Sequence, residues 1–113
     1  MQFGASDLSF GPLGGAVPAG IATVDAAHWL SSARMFAGES ASLVALWGSD
    51  RRDLGEGLVV LAAYATAAGL ACVRLPLSAE PYAYPSIAAE FPCAVRMQRA
   101  VFDLLGAHAH GAE

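Results

Sequence analysis

The spacing of apolar residues predicts three strands that follow one another in the middle of the chain. Short, largely apolar runs occupy residues 42–47, 58–66 and 70–77, and in the last of them side chains alternate between two faces. The connections at 48–57 and 67–69 contain glycine and are short. Strands joined in this way predict an antiparallel meander. Residues 58–66 also suit a helix, because alanine favours helices over strands.

Helical spacing predicts a first helix over residues 26–37, after a short strand at 21–24. Asp25 stands before this helix as an N-cap, whose side chain accepts hydrogen bonds from free amides of the first turn. Gly38 ends it, and His28 in its first turn has a packing or surface role. The apolar face of the helix consists of Trp29, Leu30, Ala33 and Phe36.

A second helix is predicted from Phe91 to Gly106, after a proline-rich stretch with a single turn at 86–90. Pro92 fits its first turn, where a missing amide hydrogen costs nothing, and Gly106 is its C-terminal stop. One stripe of the helix is apolar and comprises Ala94, Met97, Val101, Leu104 and Leu105. Another stripe is charged and comprises Arg96, Arg99 and Asp103.

Asp103 stands where local helix physics disfavours an acid. It can pair with Arg99 four residues earlier, but base before acid is the less favourable order. The helix dipole disfavours a negative charge in the last turn by ~0.3–1 kcal/mol. The hypothesis is that a donor outside the helix, in a loop or in a partner chain, stabilises Asp103. A plain solvated pair with Arg99 is the alternative.

These elements define an α+β, two-layer domain in which an antiparallel sheet of three to four strands packs against two main helices. Its predicted extent is residues 19–106. Residues 1–18, rich in glycine and proline, form a flexible arm in this interpretation. Residues 107–113 form a tail in this interpretation, and the tail is consistent with a domain cut from a longer chain.

Composition excludes several classes of function. The net charge is −4 and no lysine is present, so the chain offers no basic surface for nucleic acid. No apolar run is long enough for a membrane-spanning helix, and no signal peptide is recognisable, so a cytoplasmic protein is expected. Cys72 and Cys93 lie far apart in apolar surroundings and are predicted to be buried, reduced thiols.

The sequence contains no arrangement of residues suited to catalysis. The glycines at 11–15 lack the lysine and hydroxyl of a phosphate-binding loop, and the carboxylates are dispersed. His108 and His110 could share a metal ion, but a usable site needs three or four ligands. We therefore expect no catalytic residue, no cofactor and no metal site, with both histidines in the tail.

Residues 84–106 resemble the signature of the thirty-kilodalton subunit of respiratory NADH dehydrogenase (complex I). In that family the stretch reads roughly Pro-Ser, then Pro-Ala-Ala, then Trp-x-Glu-Arg-Glu-Ile-x-Asp-Leu-Phe-Gly. The positions that carry the resemblance are Pro85, Ser86, Pro92, Ala94, Arg99, Asp103, Leu104 and Gly106. The same domain is fused at the front of the large subunit of membrane-bound, energy-converting nickel–iron hydrogenases, including those of formate hydrogenlyase.

The chain departs from this family at four positions of the signature. Arg96 replaces the family's tryptophan, Leu105 replaces its phenylalanine, and Gln98 and Ala100 replace two glutamates. The loss of both acids puts in doubt any contact that they make with a neighbouring subunit.

The resemblance implies an accessory or scaffold domain without iron–sulfur cluster, flavin or nickel, in the cytoplasmic arm of an oxidoreductase complex. Its partner would be the large, quinone- or nickel-site subunit. The candidate partner contacts are Arg96, Arg99, Phe102, Asp103 and Leu105. Two other functions remain open: a stand-alone small-ligand-binding or regulatory module, and a metal-binding domain that uses His108 and His110.

Overall fold

The computed structural model describes residues 11–12 and 19–111, so most of the predicted arm and the last two residues of the predicted tail lie outside the described residues. The strands are β1 (Gly11–Pro12), β2 (Ala19–Thr23), β3 (Ser42–Asp50), β4 (Leu58–Thr66), β5 (Gly69–Leu77), β6 (Ala83–Pro85) and β7 (His108–His110). The helices are α1 (Ala26–Gly38) and α2 (Ala94–Leu105), with a single 3-10 turn at Arg52–Leu54.

The central sheet has the order β1-β2-β5-β4-β3. Strands β3, β4 and β5 form the predicted antiparallel meander. The sheet is mixed rather than purely antiparallel, because β2 pairs with β5 in parallel, and α1 carries the chain from β2 back across the sheet. The α+β class and the two-layer arrangement with two main helices are confirmed.

Residues 58–66, for which the sequence allowed a strand or a helix, form strand β4. It pairs with β3 over residues 58–65, with one irregularity, and with β5 over its full length. Ala62 lies in one row across the sheet between Leu46 and Val73, and all three are buried. Hydrogen bonding to strands on both edges outweighs the weak local preference of alanine for helix.

Helix α1 begins as its sequence predicts. The Asp25 carboxylate accepts the His28 backbone N–H at 2.8 Å and also contacts the His28 ring. These hydrogen bonds to the charged form lower the pKa of Asp25. The predicted span of 26–37 is confirmed, with one more residue at its end. Trp29, Ala33 and Phe36 are buried on the face that packs on the sheet.

Two of the local predictions about chemistry-bearing residues are wrong. Cys93 is exposed, because it lies on the turn that leads into α2, although its Sγ is 4.0 Å from the carbonyl oxygen of Leu43. Cys72 is buried and free as predicted, and burial raises the pKa of its thiol. His108 and His110 lie in strand β7, where a tail was expected.

In the described ranges no helix is long and apolar enough to cross a membrane.

Replacing Tyr64 with phenylalanine is expected to raise the free energy of unfolding by about 1 kcal/mol. Tyr64 is fully buried and stacks on Phe36 with ring centroids 4.6 Å apart, while its hydroxyl bonds to no atom of the described residues. Burial, with the nearby charge of Glu90, raises the pKa of Tyr64. Phenylalanine keeps the ring and removes the unsatisfied hydroxyl. Urea unfolding measures the difference, with Tyr82→Phe at a half-buried position as the control. A loss of stability on Tyr64→Phe would mean that the hydroxyl has a bonding partner.

Candidate docking site on helix α2

Two residues that flank α2, Pro92 and Gly106, account for where the helix begins and ends. The Ala94 and Val95 amides donate to the Phe91 and Pro92 carbonyl oxygens at 2.8 and 3.3 Å, so Pro92 occupies the turn that leads into the helix. Regular helix begins at Ala94, slightly later than predicted. Gly106 ends it with φ of 77°, a left-handed conformation that glycine adopts without strain, and its N–H bonds to the Phe102 carbonyl at 2.8 Å.

The inner face of α2 packs on β3. Ala94, Gln98 and Val101 are buried, and Leu105 is half-buried against the core. Gly48 leaves room for the Leu105 side chain in its present position, since a Cβ at position 48 would lie 2.5 Å from Leu105 Cδ1. Leu105, predicted both on the apolar stripe and as a partner contact, therefore points toward the sheet.

The prediction that Leu104 belongs to the buried apolar stripe of α2 is wrong, because 82% of its surface is exposed. Consecutive helical residues are rotated by about 100°. The sheet therefore covers Leu105 but leaves Leu104 on the outside of the helix. Only the position of β3 relative to α2 distinguishes these two leucines.

Gln98 has a structural role that the sequence did not reveal. Its Oε1 accepts the buried Ile87 N–H at 2.9 Å, and its Nε2 donates to Ser86 Oγ at 3.0 Å. The side chain thus connects α2 to the segment that follows β6. Its position four residues after Ala94 and three before Val101, both apolar and buried, is the sequence signal that could have indicated an inward side chain.

The outer face of α2 carries the other predicted partner contacts. Arg96, Arg99, Phe102 and Asp103 are all exposed, with 47% of Phe102 accessible. Arg99 Nε lies 3.5 Å from Asp103 Oδ1, and the two side chains are 77% and 57% exposed. Water screens a pair this exposed, so it contributes little to stability.

Both ends of α2 carry a charge of the sign that the helix dipole disfavours. Arg96 is the third residue of the helix and Asp103 the third from its end, and the first turn contains no acid and the last turn no base. Each misplaced charge costs ~0.3–1 kcal/mol. This arrangement does not stabilise the folded domain by itself. A partner with complementary charges would stabilise both side chains.

A groove of about 830 Å³ runs along this outer face, between α2 and β7. Val95, Arg96, Arg99 and Phe102 line it from the helix, and His108 and Ala109 line it from the strand. The Phe102 and His108 rings meet edge to face with centroids 5.8 Å apart. The structure therefore brings together three of the predicted partner contacts and one of the two predicted tail histidines.

The wall formed by β7 is held in place by contacts that are distant in sequence. Strand β7 pairs in parallel with β6, and the His108 N–H donates to the Tyr82 carbonyl at 2.9 Å. Trp29 of α1 in turn donates its Nε1–H to the Pro85 carbonyl of β6 at 3.0 Å. The Trp29 ring also meets the Tyr84 ring edge to face, with centroids 6.0 Å apart.

Metal chemistry finds no support in the described ranges. They contain no cluster of three or more histidine, cysteine, aspartate or glutamate side chains. His108 and His110 are alternate residues of β7 and share a face of that strand, but no further ligand joins them there.

These elements define the class of the fold: a small α+β domain with a mixed sheet, both main helices on one face, and a short accessory strand pair. The structure is similar to a solved structure described as Nqo5 in a trypsin-resistant fragment (1–134). The two superpose with a TM-score of 0.75 at 17% sequence identity, over 84% of this chain and 81% of that chain. At this identity the likeness shows a shared fold. No protein-family model matches the chain, and no curated protein matches it.

Proposed function

We propose that this chain is a non-catalytic accessory subunit of a complex I-like oxidoreductase. The observation that carries the proposal is the superposition on Nqo5, the thirty-kilodalton subunit of complex I, over 84% of this chain. The signature-like residues at 84–106 point to the same family by a separate route, because they are read from side-chain identities and the superposition from the backbone.

The proposed role is to dock on the large, quinone- or nickel-site subunit and to support its assembly. The outer face of α2 is the proposed contact, since it combines exposed Phe102 with charges at Arg96, Arg99 and Asp103 that do not serve the helix itself. The contact set proposed here omits Leu105, because its side chain packs on β3. In this proposal the chain is cytoplasmic and reaches the membrane through its complex. A nickel–iron hydrogenase of the formate hydrogenlyase type is a related host complex.

Co-purification tests this function directly. A tagged full-length chain, expressed with the products of adjacent genes, is expected to retain oxidoreductase subunits, the large subunit among them. A chain carrying Phe102→Glu, which reverses the character of the exposed face, should retain less of them, and Val44→Glu on β3 serves as the matched control at another exposed apolar residue. A wild-type chain that retains no oxidoreductase subunit would overturn the proposal. A small molecule in the purified chain, with no subunit, would favour the ligand-binding module instead, for which the groove offers the space.

Asp103→Asn is expected to weaken association while leaving the stability of the isolated domain nearly unchanged. The substitution removes the unfavourable charge–dipole interaction of ~0.3–1 kcal/mol. It also removes the favourable surface pair with Arg99, whose energy is of similar size, so the two effects nearly cancel. Thermal unfolding and pull-down yield are the two measurements. Asp53→Asn, on the exposed turn at Arg52–Leu54, is the control for removing one acid. Undiminished complex formation by Asp103→Asn would contradict the docking role of this residue.

A further inference from the structure

The groove between α2 and β7 has a charge opposite to that of the whole chain. The chain carries a net charge of −4. The groove, by contrast, is lined by Arg96, Arg99 and His108, and by no acidic residue of the described ranges. Asp103 pairs with Arg99 from outside the lining, which leaves Arg96 facing the groove without an ion-pair partner in the described ranges. An acidic occupant fits this lining, and a basic one does not.

The apolar part of the groove suits an occupant with hydrophobic side chains. Val95 is 58% exposed and Phe102 47% exposed, and together with Ala109 they line the same space. Exposed apolar side chains that share one groove, rather than being scattered singly over the surface, mark sites of interaction. The occupant therefore combines apolar side chains with carboxylates.

The backbone of β7 offers main-chain hydrogen bonds at the same place. In the parallel pair, β7 uses the main-chain groups of His108 and His110 toward β6, as the bonds to Tyr82 and from Ser86 show. The N–H and C=O of Ala109, the residue between them, point away from β6, and Ala109 lines the groove. No other strand of the described residues pairs with this edge of β7, so an extended chain can pair with it, as peptides do when they add a strand to a sheet.

From these three features we propose that the groove between α2 and β7 binds an extended segment of a partner protein that carries both acidic and apolar side chains. The segment lies along β7, bonds to the main chain of Ala109, places carboxylates on Arg96 and Arg99, and packs an apolar side chain on Phe102. This inference rests on the proposed function in that the partner is another subunit of the complex. It also explains the charge placement in α2, because a bound carboxylate stabilises Arg96 where the helix dipole does not.

A peptide array tests the inference with the isolated chain. The probes share a Leu-Ala-Phe core flanked on both sides by glutamate, glutamine or lysine. We expect the labelled wild-type chain to bind glutamate-flanked peptides about tenfold more strongly than lysine-flanked ones. The double variant Arg96→Glu, Arg99→Glu should reverse this preference, and Arg52→Glu, at an exposed position outside the groove, should leave it unchanged. Circular dichroism verifies that the variants are folded, as expected for exposed positions.

A second set of probes tests strand addition. Peptides with N-methylated alternate residues keep their charge and lose main-chain donors, so they should bind about tenfold more weakly than the parent peptide. Equal binding of N-methylated and parent peptides would overturn strand addition. Equal binding of acidic and basic flanks, or an acidic preference that survives the double variant, would overturn the groove as the site.

The co-purification experiment separates this inference from the proposed function. If the wild-type chain selects acidic peptides but retains no oxidoreductase subunit, the proposed function fails while the groove stands. If oxidoreductase subunits are retained equally by the wild type and by the Arg96→Glu, Arg99→Glu chain, the groove proposal fails while the function stands.

Discussion

Replacing Trp29 with alanine is expected to lower the free energy of unfolding by about 3–5 kcal/mol. The Trp29 side chain is fully buried where α1 packs against β6, and its removal leaves a large cavity. It also deprives the Pro85 carbonyl of the Nε1–H donor at 3.0 Å. Because domains of this size are stable by roughly 5–15 kcal/mol in total, the variant should be folded only marginally.

Trp47→Ala is the matched control for this result, since Trp47 is the other tryptophan of the chain and is 41% exposed. It should cost well under half as much. Trp29→Phe separates the two contributions of Trp29, because phenylalanine fills much of the space but cannot donate to Pro85. Urea unfolding followed by circular dichroism measures all three variants. Equal losses for Trp29→Ala and Trp47→Ala would show that β6 is not anchored through Trp29.

Gln98→Leu is expected to lower the free energy of unfolding by about 2–3 kcal/mol, although leucine is apolar and favours helices. The Ile87 N–H is buried, and the substitution removes its acceptor at 2.9 Å. Ser86 Oγ loses the donor that Gln98 Nε2 provides at 3.0 Å. Since the Ser86 N–H bonds to the His110 carbonyl at 2.9 Å, a shift of this segment should also move β7 and alter the groove.

The control for Gln98→Leu is Arg99→Leu, which introduces the same residue one position later on the exposed face of the same helix. Its effect on stability should be within a few tenths of a kcal/mol. The amide signal of Ile87, which loses its acceptor, should shift in Gln98→Leu and stay in place in Arg99→Leu. Comparable stability of the two variants would mean that the Gln98 hydrogen bonds contribute nothing net.

The role of Gln98 changes the interpretation of the family departures. By the resemblance, Gln98 and Ala100 both stand where the family has glutamates that could contact a neighbouring subunit. Gln98 is buried and holds the chain after β6, so its difference from glutamate bears on the interior, where Oε1 still supplies the acceptor that Ile87 needs. Arg96, in contrast, stands on the groove, so this departure changes the surface on which a partner is proposed to dock.

Local sequence predicted those features that depend on a single element. The first helix with its Asp25 cap, the three strands of the meander and the Gly106 stop were all predicted, and the structure confirms them. In each case the cause lies within a few residues: a side chain that caps free amides, an alternation of faces, or a residue that adopts positive φ. Strand β4 is the exception, because its alanines also suit a helix and its pairing with β3 and β5 decides for the strand.

The candidate site was predicted only in part, because a helix face is visible in sequence and a groove is not. The exposed stripe of Arg96, Arg99 and Asp103 follows from helical periodicity. The inward turn of Leu105 and the exposure of Leu104 depend on where β3 lies, and on the space that Gly48 leaves. The exposure of Cys93 depends likewise on the turn that precedes α2.

The amino-acid sequence by itself determined the two helices, strands β3 and β5 and the α+β class, since these arise from periodicity, caps and turns between neighbours in the chain. The strand conformation of β4 also needed its pairing with β3 and β5. The tertiary structure alone decided the parallel pairing of β2 with β5, the pairing of β7 with β6, and the inward role of Gln98. The physical reason is that hydrogen bonds between distant strands, and burial against a distant strand, leave no periodic pattern in the short segments that make them. The groove lies between α2 and β7, whose relative position depends on such contacts, so it could not be predicted from the sequence.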